Sequence, residues 1–160
     1  MSNISSVDQD YYLWALLHQT SDAIFDAREN ELRQYGITTQ QASVLSIVNT
    51  IGSEATPAEV SRRIFRKPHS VSGLVERAEK AGLLKKTKDL HKKNLVRVTI
   101  TEKGQKIYNQ SSKIKAIHRI MSALSEEERR QLQTSLEKLR SKAIKDLGMD
   151  PKKVPLPEVE

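Results

Sequence analysis

The side chains best suited to binding chemistry lie between residues 67 and 97 and carry positive charge or hydrogen-bond donors. Hydroxyl, imidazole, amide and guanidinium groups hydrogen-bond to the edges of nucleic-acid bases, and lysine and arginine pair with phosphates. Spread over a helix and a loop, such a set predicts a surface that binds a polyanion. The candidate residues are Lys67, His69, Ser70, Ser72, Arg77, Lys92, Lys93, Asn94 and Arg97.

The distribution of charge along the chain favours the same interpretation. The 160 residues carry a formal net charge of +7. Residues 62–106 hold 14 Lys or Arg and 4 Asp or Glu, a net charge of +10. The rest of the chain holds 13 Lys or Arg and 16 Asp or Glu, a net charge of −3. Single lysines are ordinary solvated residues, but this concentration of charge indicates a patch that binds phosphates.

Two short helices joined by a turn must position the first part of this set. The run Thr56-Pro57-Ala58-Glu59 predicts a capping box that starts a helix ending near Phe65. A second helix follows the turn, ends at Gly82, and buries one face formed by Val71, Leu74, Val75 and Ala78. This order is typical of a helix-turn-helix, whose second helix presents its amino-terminal side chains to the major groove of DNA.

A basic hairpin must position the second part of the set. After Gly82 the apolar period changes to two, which predicts strands over residues 83–88 and 95–100. Their connection, residues 89–94, is rich in lysine and predicts a wing that lies along a phosphate backbone. Thr101 then caps another helix.

Amphipathic helices surround this core. We predict helices over residues 8–34 and 38–51, a helical region over 105–147 and an extended or disordered tail over 149–160. The fold class is mainly α with a small β-hairpin (α+β), with a winged helix-turn-helix over residues 38–104. The apolar stripes of 8–34 and 105–147 exceed what one chain can cover, which favours a homodimer; closure of the monomer core is the alternative.

The order and spacing of several runs resemble the MarR family of dimeric, winged helix-turn-helix transcription regulators. The similar runs are residues 40–45, 56–61, 68–77, 79–83, 98–104 and 124–129, so the resemblance covers most of residues 10–146. It departs in the wing, where an Asp-Arg-Arg-like run is replaced by Lys92-Lys93-Asn94. This replacement predicts the loss of an ion pair within the wing and of the arginine at its tip.

The resemblance implies an effector pocket between the dimerisation helices and the winged helix, where the family often holds small aromatic or phenolic anions. In this chain the expected pocket residues are Trp14, His18 and Phe25, with a dimer core as the alternative role for Trp14 and Phe25. Because the chain has no cysteine, a thiol-based peroxide sensor is excluded.

Enzymatic chemistry has no recognisable pattern in this sequence. There is no phosphate-binding glycine loop, no nucleophile elbow and no His-Glu-x-x-His pair, so we predict no catalytic residues, no metal and no cofactor. No apolar run approaches the roughly 20 residues needed to span a bilayer, which predicts a soluble, cytoplasmic protein.

The sequence therefore predicts a homodimeric repressor that binds a pseudo-palindromic operator in double-stranded DNA and responds to a small aromatic effector. Two alternatives remain at this stage. They are a winged-helix module for protein interaction and a non-specific architectural DNA binder.

Overall fold

A computed structural model describes residues 6–65 and 68–156, and within them the chain forms seven α-helices and one antiparallel hairpin. This architecture confirms the predicted fold class. The elements are α1 (Ser6–Leu32), α2 (Thr39–Ile51), α3 (Pro57–Ile64), α4 (Pro68–Lys80), β1 (Leu84–Lys88), β2 (Val96–Ile100), α5 (Glu102–Ser111), α6 (Lys115–Met121) and α7 (Glu126–Asp146). The predicted contact residue Lys67 lies outside the described residues.

Helix starts follow the capping patterns of the sequence, with one difference. Thr38 accepts from the Gln41 amide and the Gln41 side chain accepts in return, which completes the predicted capping box of α2. At α3, Thr56 Oγ1 accepts from the Glu59 amide at 3.2 Å. The Glu59 carboxylate, however, pairs with Arg62 at 3.2 Å, so only one half of the predicted box forms there.

Most of the buried core lies in the winged helix, and Leu32 of α1 and Tyr108 of α5 also contribute to it. Helices α2, α3 and α4 pack with the hairpin, and the Val98 amide donates to the Ala55 carbonyl at 2.9 Å, which fastens β2 to the segment before α3. The hairpin pairs Leu84 with Ile100 and Lys88 with Val96. The side chains that fill the core include Leu32, Val44, Leu45, Val48, Val60, Val71, Val75, Leu83, Leu84 and Val98.

The carboxyl-terminal region differs from a continuous helical stripe. It breaks between α5 and α6, where Ile114 adopts a left-handed conformation with φ 39°. The sequence predicts a cap of the last helix at residues 125–128, and Ser125 caps α7 there. The tail also differs from an extended or disordered arm up to residue 156, because Pro151–Lys153 forms a 3₁₀ turn. Arg140 holds this turn against α7 by donating to the carbonyls of Val154 and Pro155 at 3.1 and 3.0 Å.

The start of α5 approaches the end of α4 more closely than any side chain would allow. A Cβ atom added to Gly104 would lie 2.1 Å from the Leu83 carbonyl oxygen and 2.9 Å from Ile100 Cγ2. Both contacts are with rigid parts of the core. Glycine at this position therefore sets the distance between α5 and the wing.

Gly104→Ala is expected to lower the free energy of unfolding by about 1–3 kcal/mol, because the backbone must move to admit the methyl group. Gly73→Ala is the matched control, since its Cβ would meet only the flexible end of Arg77 at 3.3 Å. Within a helix, that change should be neutral or stabilise by up to about 1 kcal/mol. Urea unfolding of both variants measures the difference, and equal stabilities would contradict the close approach.

Candidate functional site

Helix α4 presents a polar face next to a buried one. Val71, Leu74, Val75 and Ala78 are buried, as predicted. His69, Ser70, Ser72 and Arg77 are exposed. Gly82, with φ 76°, ends the segment in the left-handed conformation that glycine adopts without strain. The packing of α4 on α3 thus leaves the predicted contact residues open to a ligand.

Arg77 folds back along this helix toward its amino terminus. Its Nη1 atom lies 3.3 Å from the position that a Gly73 Cβ would occupy. Residues four apart share one helix face, so the absence of a side chain at Gly73 makes room for the guanidinium. The positive charge therefore lies over the half of α4 that carries His69, Ser70 and Ser72.

The wing carries its cations at an exposed tip. Lys92, Lys93 and Asn94 are exposed, and Asn94 adopts φ 67°, which asparagine tolerates better than most residues. Leu90, also at the tip, is 94% exposed. The structure thus brings three of the four predicted wing residues together on one loop.

Arg97, the fourth predicted wing residue, lies at the base of the wing and is already engaged. Its Nε donates to Asp89 at 2.9 Å, its Nη1 donates to the Glu54 carbonyl at 2.9 Å, and its Nη2 pairs with the Glu54 carboxylate at 3.0 Å. The side chain is only 15% exposed. Its contact with DNA stays a prediction, while the observed contacts give it a role in fixing the wing.

The expected loss of an ion pair within the wing is wrong. Residues 92–94 contain no carboxylate, but Asp89 and Arg97 form an ion pair elsewhere in the wing. Asp89 also accepts from the amides of His91 and Lys92 at 2.8 and 2.9 Å. The hydrogen bonds from His91, Arg97 and Lys92 lower the pKa of Asp89 to about 2.

A cavity of about 510 Å³ lies between the winged helix and two helices outside it, α1 and α6. Its lining includes Arg28 of α1, Leu156 of the tail and residues of α2, α3, α5 and α6. The lining is rich in hydroxyl groups and aliphatic side chains. Its remaining members are Thr39, Ala42, Ser43, Ser46, Ile47, Thr50, Arg63, Ile64, Tyr108, Ser111, Ser112, Ile114 and Ile117.

A buried ion pair beside this cavity bridges the break between α5 and α6. Arg28 Nη1 pairs with Glu31 at 2.8 Å, and its Nη2 donates to the Ser111 carbonyl at the end of α5 at 2.7 Å. The Glu31 carboxylate accepts from the Lys115 and Ala116 amides at the start of α6, at 2.8 and 3.2 Å. Each charge thus meets the helix end of opposite partial charge.

The pKa of Glu31 reflects these contacts. Burial raises it, but the hydrogen bonds from Arg28, Ala116 and Lys115, together with the Arg28 charge, outweigh burial and hold it below its usual value. Glu31 is therefore charged at neutral pH, and the pair with Arg28 is ionic. Sequence reasoning missed both residues, because an i, i+3 Arg-Glu pair is common on exposed helix surfaces.

The three predicted pocket residues do not line this cavity within one chain. Trp14, His18 and Phe25 lie on the outer face of α1, and Trp14 is 59% exposed. Trp14 contacts the rings of Tyr11 and His18, with centroids 5.6 and 6.0 Å apart. Only the carboxyl-terminal part of α1, at Arg28, reaches the cavity.

Residues 6–65 and 68–156 contain no group of three or more His, Asp or Glu side chains placed to hold a metal ion. In the same part of the chain, the helices lack the length and apolar character needed to cross a lipid bilayer.

A helix-turn-helix followed by a basic hairpin defines the class of winged-helix DNA-binding proteins. The family model of the MarR family matches residues 35–93. A search among proteins of curated function finds no match.

Comparison with solved structures identifies the family within this class. The organohalide-sensing transcriptional regulator RdhR-CbdbA1625, bound to 2,4-dichlorophenol, is 30% identical, with a TM-score of 0.85, and the match covers 100% of this chain and 95% of that one. Its ligand-free form is 32% identical, with a TM-score of 0.80, and the match covers 90% of this chain and 86% of that one. MepR from S. aureus, in complex with DNA, shares the fold at 22% identity, with a TM-score of 0.74. This match covers 80% of this chain and 96% of that one. The chain belongs to the MarR family of winged-helix transcription regulators.

Asp89→Asn should remove a pH-dependent part of the stability. Because the folded-state pKa of about 2 lies below the unfolded value of about 3.9, Asp89 stabilises the fold above pH ~4 and loses this effect as the pH falls toward 2. Wild type should therefore exceed Asp89→Asn in unfolding free energy at pH 6, and the gap should shrink at pH 3. Urea unfolding at both values measures the gap; a gap independent of pH would contradict the wing ion pair.

Proposed function

We propose that this chain is a homodimeric, sequence-specific DNA-binding regulator, acting as a repressor that a small aromatic effector releases from its operator. The observation that carries the proposal is the joint exposure of the α4 polar face and the wing tip within the most basic part of the chain. Family membership supports it independently.

The proposed division of contacts follows from geometry. The exposed amino-terminal side chains of α4, with the folded-back Arg77, read bases in the major groove. Lys92 and Lys93 neutralise phosphates flanking that groove, and Asn94 lies beside them. Arg97 and Asp89 fix the base of the wing so that the lysines keep their position.

A second copy of the chain is the proposed partner of helices α1 and α7. Large apolar side chains on α1 and α7 are exposed in one chain, and Ile144 is the buried residue among the 21 of α7. Monomeric proteins rarely expose apolar patches of this kind. The exposed residues are Tyr11, Tyr12, Leu13, Trp14, Leu16, Leu17 and Phe25 on α1 and Leu132, Leu136 and Leu139 on α7.

The cavity beside Arg28 is the proposed effector site. Its lining includes residues of α1 and of α3, the helix that precedes α4, the proposed recognition helix. A ligand there contacts both parts of the molecule and can favour one spacing of the two recognition helices over another. The related regulator bound to 2,4-dichlorophenol supports an aromatic ligand.

Arg77→Ala is expected to weaken binding to DNA selected from a random pool by about 1–3 kcal/mol and to relax base preference at one position per half-site. Lys80→Ala is the matched control, because it removes one charge from the carboxyl-terminal end of the same helix. It should weaken binding to selected and random DNA alike. Gel-shift titrations with both DNAs measure these effects.

The outcomes separate the candidate functions. An equal loss on both DNAs for Arg77→Ala would mean that this arginine only contacts phosphate. A wild-type protein without preference for any selected sequence would favour an architectural DNA binder, and one without DNA affinity would favour a protein-interaction module.

Leu136→Glu combined with Leu139→Glu should raise the dimer dissociation constant by about a hundredfold or more, since two charges enter the proposed interface. Thr134→Glu is the control, because Thr134 lies on a different face of α7. Sedimentation velocity should show a dimer for wild type and Thr134→Glu and a monomer for the double variant. Sedimentation of wild type as a monomer would contradict the proposal.

A further inference from the structure

The tip of the wing carries one apolar side chain among polar and charged ones. Leu90 is the apolar member of the loop 89–94, and 94% of it is exposed. Its sequence neighbours His91, Lys92 and Lys93 are exposed as well. A single exposed leucine is ordinary on a protein surface, so the position of Leu90 in the wing, rather than its exposure, determines what it can bind.

The loop that carries Leu90 is fixed by hydrogen bonds that do not involve its side chain. The Asp89 amide donates to the Leu95 carbonyl at 2.8 Å, and the Leu95 amide donates to the Lys92 carbonyl at 3.2 Å. The Asp89 carboxylate is 13% exposed and accepts from two loop amides and from Arg97. Because the loop already has its shape, binding through the leucine costs little conformational entropy.

The length of the hairpin determines which part of a DNA duplex the tip can reach. Strand β1 begins at Leu84, shortly after α4 ends at Lys80. The five residue pairs of the hairpin span about 17 Å. When α4 lies in a major groove, the neighbouring minor groove is half a helical turn away, which is also about 17 Å. The hairpin is therefore long enough to bring its tip to that minor groove.

We propose that Leu90 inserts into the minor groove and selects A·T base pairs there, while Lys92 and Lys93 pair with the phosphates at the edges of the groove. This inference rests on the proposed function, to which it adds an apolar reading position outside the major groove. Apolar side chains, leucine among them, enter the minor groove in several DNA-binding proteins. The lysines favour the same place, because the negative potential is enhanced where the minor groove is narrow and rich in A·T.

The chemistry of the groove floor provides the selectivity. At the middle of the floor, an A·T pair presents the apolar C2–H group of adenine. A G·C pair presents the amino group of guanine there, which is a hydrogen-bond donor. The side chain of Leu90 packs against the first group, but it has no acceptor for the second. Covering an unpaired donor is unfavourable, so the wing disfavours G·C at its contact.

The test uses base analogues that change the minor groove alone. Gel-shift titrations of the full chain are made with DNA whose flanks are selected from a random pool around the central site read by α4. Inosine·C is G·C without the guanine amino group, and 2,6-diaminopurine·T is A·T with that group added. Wild type should select A·T at one flanking position per half-site and bind about fivefold or more weakly when G·C replaces it. Inosine·C at this position should restore the affinity, and diaminopurine·T should lower it as G·C does.

Leu90→Ala should remove this preference and lower affinity for the A·T-flanked site about fivefold, with an unchanged salt dependence because no charge is lost. Leu90→Met should keep most of the preference, since methionine retains the apolar volume. Urea unfolding of both variants should match wild type, as expected for an exposed side chain.

Lys93→Ala is the matched control from the same loop. It should weaken binding to every flanking sequence alike and keep the preference for A·T. It should also reduce the slope of log K against log salt by about 0.9 per wing, because one phosphate contact is lost. The leucine and the lysine thus differ in both readouts.

Three results would overturn the inference. They are a wild type that does not distinguish guanine from inosine at any flanking position, an undiminished A·T preference in Leu90→Ala, and a change in the sedimentation of Leu90→Ala without DNA. The last result would assign the leucine to a contact with another copy of the chain. A failure of the proposed function is recognised separately, since the protein would then show no base preference within the central site.

Discussion

The ion pair between Arg28 and Glu31 joins α1 to the end of α5 and to the start of α6. Burial of two charges is unfavourable unless the geometry is good and further hydrogen bonds satisfy both partners. Here the guanidinium takes the last carbonyl of α5 and the carboxylate takes the first amides of α6. The left-handed Ile114 between these helices is tolerated because both flanking ends are satisfied.

The two halves of the molecule bury apolar surface differently. The winged helix buries side chains of α2, α3, α4 and the hairpin in a core that Leu32 of α1 also enters. Helices α1 and α7 leave large apolar side chains exposed. The winged helix is therefore stabilised within one chain, whereas the apolar surface of α1 and α7 is the surface assigned to a second copy in the proposed function. The cavity lies at the boundary between the winged helix and the helices outside it.

Local patterns account for most of what sequence reasoning predicted correctly. The caps at Thr38, Thr101 and Ser125 depend on residues within one turn, and the stripe on α4 depends on spacing alone. Breaks without a local signal were missed. Isoleucine rarely adopts the left-handed conformation that Ile114 has, so its presence does not predict a helix break. The apolar spacing also continues across this position. Asp89 and Arg97 are eight residues apart, and only the geometry of the hairpin brings them together.

The sequence by itself determined the class of protein, the recognition helix, the basic wing and the apolar helices around them, because charge, capping and periodicity are properties of short segments. The tertiary structure decided where the cavity lies and which residues reach it. Arg28 meets Ser111 across 83 positions, and Glu31 meets Ala116 across 85. Contacts at such separations depend on how helices pack, and helix packing depends on all the buried side chains together rather than on any single motif.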